Sequence, residues 1–86
     1  MIFSIIITTY NYEKYIRESV ESALNQDFSD KYEIIVVDDC STDNTALILD
    51  DYDSLIRINN EKNLSLEVSI NKGIRKASGK YIVRLD

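Results

Sequence analysis

Tyr32-Glu33-Ile34-Ile35-Val36-Val37-Asp38-Asp39 is an aliphatic run, rich in β-branched residues, that stops abruptly on two carboxylates. A strand with one wet face would alternate apolar with polar residues. Four consecutive aliphatic side chains need cover on both faces, which is the condition of a strand inside a parallel sheet. Residues 3–8, centred on Ile5-Ile6-Ile7, repeat this signature and run into Thr8-Thr9-Tyr10-Asn11. Between the two runs, Tyr12, Tyr15, Ile16, Ser19, Val20, Ala23 and Leu24 recur at helical spacing, with Glu13, Lys14, Arg17, Glu18 and Glu21 opposite them. This predicts an amphipathic helix packed on the sheet. Glu13 and Arg17 stand four apart in the order that favours an ion pair.

Downstream, Ser41, Thr42 and Asp43 offer side-chain oxygens to cap a short helix over residues 44–52. Residues 55–58 read as a third strand and 59–63 as a polar turn. Leu66, Ile70, Ile74 and Ala77 mark the packed face of a further helix, for which Gly79 is the expected C-cap. Asn71 and Gly73 are expected to serve its packing, and residues 81–85 form a fourth strand. Strands alternating with helices imply right-handed crossovers, hence an α/β fold with a mostly parallel four-stranded sheet and helices on both faces. If three strands wind outward and the fourth returns beside the first, the order is 3-2-1-4. Ligands of open α/β sheets sit at the carboxyl ends of the strands beside such a switch point. Here those ends carry residues 8–11, 38–42 and Asp86.

Composition narrows the function. With 86 residues, 44% hydrophobic and 29% charged, the chain suits one small domain. Such a domain buries only roughly 60 to 65% of the surface its unfolded chain exposes. The net charge is −5, there is no histidine, and the ten Lys and Arg residues are scattered, so no nucleic-acid partner is expected. Cys40 is the only cysteine, so it has no partner for an internal disulfide, and without a histidine to activate it, it is not expected to be a nucleophile. The longest apolar runs, residues 5–7 and 34–37, fall far short of the roughly 20 residues that span a bilayer. No basic-then-apolar leader opens the sequence. A cytoplasmic location is expected, with any membrane association belonging to a longer protein.

Only Gly73 and Gly79 are glycines, and neither lies in the loop after the first strand. That loop is therefore no Walker or dinucleotide fingerprint, since both need glycines to bring backbone amides against a pyrophosphate. The strand ends gather carboxylates instead. Acidic groups hold an anionic diphosphate only through a bridging divalent cation with oxygen ligands. An acidic pair also occurs in receiver-like phosphoacceptor domains, but there it follows the first strand, whereas Asp38 and Asp39 follow the second.

Taken together, Ser4-Ile5-Ile6-Ile7-Thr8-Thr9-Tyr10-Asn11, Ile35-Val36-Val37-Asp38-Asp39-Cys40-Ser41-Thr42-Asp43, Asn71-Lys72-Gly73, Gly79-Lys80-Tyr81-Ile82 and Leu85-Asp86 resemble the opening of the family 2 glycosyltransferases. The resemblance covers essentially the whole chain. It implies the Rossmann-like, nucleotide-binding half of a GT-A fold, spanning residues 1–86 and ending at the first aspartate of a D-x-D motif. It also implies a nucleoside-diphosphate sugar donor, most often a UDP-sugar, a Mg or Mn ion, and a sugar or glycoconjugate acceptor. Thr8 and Tyr10 would lie against the nucleotide, Asp39 would accept from the base, and Asp86 would reach the ribose and the metal. No catalytic residue is expected within these residues, and transfer by them alone would be negligible. A non-catalytic nucleotide-binding or interaction module of the same fold is the alternative. Many family members carry an arginine near the position of Ile70, so Lys72 and Arg75 are the candidate replacements for a phosphate contact. The strand at residues 81–85 would form a bare edge, which predicts self-association through it.

Overall fold

The computed structural model describes residues 2–26 and 31–85. Strands β1 (Phe3–Thr9), β2 (Tyr32–Asp38), β3 (Ile56–Asn59) and β4 (Tyr81–Leu85) alternate with helices α1 (Ile16–Leu24), α2 (Thr45–Leu49) and α3 (Leu66–Lys76). The strands pair in parallel in the order β3-β2-β1-β4 expected from the sequence. Thr9 stands opposite Asp38, so β1 and β2 end level and deliver their loops to one rim.

Ile5, Ile7, Ile34 and Val36 pack one face of the sheet against Ile16, Val20 and Ala23 of α1 and Leu49 of α2. The other face, with Ile6 and Val37, receives α3. Each fully buried aliphatic side chain is worth roughly 1.5–3 kcal/mol. A chain of this length has roughly 4–13 kcal/mol of net stability, so one core residue contributes an appreciable share of it. Among the described residues, no helix is long and apolar enough to cross a membrane.

Several local expectations are corrected. α3 does not rest on its Leu66–Ile74 stripe: Leu66 is 57% and Ile74 42% exposed, while Ser69 and Gly73 are buried. The small residues decide the contact, because a Cβ at Gly73 would stand only 2.8 Å from Ile6 Cγ2. Asn71 is exposed and takes no part in that packing. Gly79 does not cap α3, which ends at Lys76 with Ala77 as its C-cap. Its role is close approach to β1. α1 begins at Ile16, and the turn before it is held by the amides of Tyr12 and Glu13, which donate to Thr45 and Asp43. α2 stops at Leu49, before Asp50, Asp51 and Asp53, whose negative charges oppose the helix dipole at its carboxyl end. Arg17 pairs with Asp51 at 2.7 Å and with the Tyr52 hydroxyl at 3.3 Å, joining α1 to the segment after α2 rather than bonding Glu13 along one helix.

Candidate functional site

The site is built where the β1–α1 and β2–α2 loops meet. Asn11 and Cys40 both adopt left-handed backbone conformations, with φ of 49° and 64°, and each turns its chain just past a strand end. Asn11 Oδ1 accepts from the amides of Thr42 at 2.7 Å and Asp43 at 3.3 Å, while the Asn11 amide donates to Ser41 Oγ at 2.9 Å. Asp38 Oδ1 accepts from the Ser41 amide at 3.1 Å and from its hydroxyl at 2.5 Å. Asp43 accepts from the amide and hydroxyl of Thr45 at 3.0 and 2.6 Å. The Asn11 and Asp-Asp-x-Ser-x-Asp segments thus staple the two loops together. Ser41 and Thr42 serve this junction rather than the cap of α2, and Asp38 is structural.

Asp39 faces the other way. It is only 6% exposed, and its Oδ1 accepts from the Leu64 amide at 2.7 Å and Asn60 Nδ2 at 2.9 Å, while Oδ2 accepts from the Ser65 amide at 3.1 Å. Burial pushes its carboxyl up. The bonds from Leu64, Asn60 and Ser65 and the charge of Lys72 outweigh that and hold it below the usual carboxylate range. A carboxylate offers about four acceptor positions, so three filled ones leave a fourth on Oδ2. Behind Asp39 the network continues: Asn60 Nδ2 also donates to Ser69 Oγ at 3.0 Å, and Lys72 Nζ donates to Asn60 Oδ1 at 2.8 Å. Ser65, at the N-cap of α3, has φ 126° and ψ 161°, a region normally reserved for glycine. Its amide bond to Asp39 and the bond from the Val68 amide to its hydroxyl hold it there.

Asp39, Thr8 and Tyr10 line one cavity of about 300 Å³, closed by Asn63, Ser65, Leu66 and Ser69 at the start of α3 and by Thr9. Tyr10 is 48% exposed. Asp86 lies outside the described residues. Lys72 and Arg75 do not reach this cavity; they line a separate hollow with Ile58 and Lys76.

The sequence pattern of glycosyl transferase family 2 matches residues 4–86. The chain belongs to this family. It is 38% identical to the poly(ribitol-phosphate) β-N-acetylglucosaminyltransferase TarS of Staphylococcus aureus, over 100% of this chain and 16% of TarS. It is likewise 38% identical to TuaG of Bacillus subtilis, described as a putative teichuronic acid biosynthesis glycosyltransferase, over 96% of this chain and 34% of that protein. It thus spans well under half of either relative. Residues 1–349 of S. aureus TarS, solved in complex with UDP, superpose with a TM-score of 0.90 over 100% of this chain and 27% of that one. A mannosyltransferase from Pyrobaculum calidifontis, solved with GDP-Man and Mn2+, gives 0.83 at 26% identity over 93% of this chain and 25% of that one. The fold is therefore the Rossmann-like half of GT-A, as the sequence implied.

The described carboxylates at the rim of this family 2 chain are already engaged: Asp38 by Ser41, Asp39 by three donors, and Asp43 by Thr45 and Glu13. Among the described residues, no three metal-ligating side chains converge. Sequence reasoning missed Thr9, whose hydroxyl is buried without a partner among the described residues, and missed Asn60, Ser65 and Ser69, while Lys72, a candidate phosphate contact, instead donates to Asn60. No periodicity marks a buried asparagine inside a polar turn.

Proposed function

We propose that residues 1–86 are the nucleotide-sugar-binding part of a longer glycosyltransferase. It takes a nucleoside-diphosphate sugar, a UDP-sugar above others, and passes the sugar to a sugar or glycoconjugate acceptor. One observation carries the reading. Asp39 is held ionised with one acceptor position unfilled, at a cavity it shares with Thr8 and Tyr10. A fixed carboxylate suits the ring N–H of uracil and repels the ring acceptor that cytosine presents in its place. Tyr10 supplies a stacking face, and Thr8 lies beside it against the nucleotide. The UDP and GDP-Man complexes of the two solved relatives support a nucleotide donor, and the Mn2+ of one supports a divalent cation, Mg or Mn. Asp86 is the residue proposed to hold that ion and to reach the ribose. Bound there, the cation would neutralise the diphosphate as it leaves.

Titration calorimetry of the folded chain with UDP and CDP in manganese buffer tests this. UDP is expected to bind roughly 10-fold or more tightly than CDP, the worth of one hydrogen bond to a charged acceptor. A folded chain that takes up no UDP would sink the proposal.

Self-association through residues 81–85 is a second proposal. Among the described residues β4 pairs with β1 alone, and Tyr81 and Ile82 are 53% and 43% exposed. Sedimentation velocity is expected to show dimers whose population grows with concentration. A monomer throughout would refute it.

A further inference from the structure

We infer that Arg84 supplies the phosphate contact for the donor and so separates a nucleoside diphosphate from an uncharged nucleoside. The inference rests on the donor-site reading above. A diphosphate carries negative charge that the 300 Å³ cavity alone cannot meet, because among the described residues Asp39 is its one charged lining residue and is itself an anion. Lys72 and Arg75 belong to another hollow, and Lys72 is tied to Asn60 at 2.8 Å.

A second cavity, of about 340 Å³, shares Thr8, Thr9, Tyr10 and Leu66 with the first and adds Tyr12 and Arg84. Among the described residues, Arg84 is its one charged lining residue. The two hollows adjoin, with a carboxylate in one and a guanidinium in the other. A nucleotide has the matching polarity, with an N–H donor on the base and anionic oxygens on the phosphates.

Topology places the two charges at a useful separation. Asp39 follows β2 and Arg84 lies in β4, on either side of β1, so the strands that carry them are about 10 Å apart. Arg84 stands opposite Ile6, below the rim. Its neighbours Val83 and Leu85 pack against the α1–α2 core, and strand alternation turns Arg84 to the opposite face, where α3 lies. A long side chain is therefore needed to reach a cavity lined by Tyr10. Lysine could span a similar distance, but the planar guanidinium fork can engage two phosphate oxygens at once.

The test titrates the wild-type chain, Arg84→Gln and Arg84→Lys with uridine and with UDP in manganese buffer, with circular dichroism to confirm folding. Arg84→Gln is expected to weaken UDP binding roughly 10-fold or more and to leave uridine unchanged, with Arg84→Lys falling between. UDP affinity that is unchanged in Arg84→Gln, or uridine and UDP weakened equally, overturns the inference and leaves the donor site standing. A wild-type chain that binds neither ligand overturns both.

Discussion

Gly79→Ala is expected to destabilise the chain by about 3 kcal/mol or more, at or beyond the upper end for overpacked sites, and to shift the urea midpoint sharply downward. The backbone at Gly79 is not left-handed, so the cost is steric rather than conformational. An added Cβ would stand 2.7 Å from both the Phe3 carbonyl carbon and the Ser4 nitrogen, and backbone cannot swing aside as a side-chain tip can. The Gly79 amide also donates to Ser4 Oγ at 2.8 Å, and that hydroxyl donates to Glu33 Oε2 at 2.6 Å. Glu33 in turn accepts from the Ser78 amide at 2.7 Å. Burial pushes the Glu33 carboxyl up, but the bonds from Ser4 and Ser78 together hold it below its usual range. Prising Gly79 off β1 would therefore open a polar junction that ties the α3–β4 connection to β1 and β2. Chemical denaturation of the variant beside wild type reads the loss. Equal midpoints would mean that β1 and residue 79 do not approach as described.

The order of the sheet was legible because the runs around Ile5-Ile6-Ile7 and Ile34-Ile35-Val36-Val37 admit only a two-sided environment, and right-handed crossovers then leave few topologies. The face of α3 was not legible. Its apolar stripe argued for Leu66 and Ile74 against the sheet, yet close approach is governed by the smallest side chains, so Ser69 and Gly73 took the contact. The limits of α1 and α2 were hidden for a related reason. The turn before α1 is set by amides of Tyr12 and Glu13 that donate to Thr45 and Asp43 some thirty residues away, and α2 ends at the carboxylates that follow it. At the site, strand ends marked residues 8–11 and 38–42, and the family resemblance singled out Thr8, Tyr10 and Asp39 among them, which line one cavity. The supports of Asp39 were out of reach. Asn60 sits in a stretch that reads as solvated turn, and only the folded chain shows its amide spanning Asp39 and Ser69.

Those supports make Asp39→Asn the sharpest probe of the donor site. The substitution preserves shape but replaces one oxygen with an NH2 group. With Oδ1 kept toward Leu64 and Asn60, the new amide meets the Ser65 amide, donor against donor. With the side chain flipped, it meets Leu64 and Asn60 instead. Either way at least one buried donor loses its partner, at a cost of about 1–3 kcal/mol in stability. The first orientation leaves one donor unpaired rather than two, and in it the exchange also converts the unfilled acceptor position on Oδ2 into a donor. A ring N–H then faces an N–H, and UDP affinity is expected to fall by roughly 10- to 100-fold. Cytosine presents a ring acceptor at that position, so CDP should lose far less or gain, and the preference for UDP over CDP should shrink or invert. This ratio separates recognition from damage, since a loosened residue 60–65 loop would weaken both nucleotides alike. An unchanged ratio alongside a lowered stability would confine Asp39 to holding that loop, and the base would have to be read by some other group.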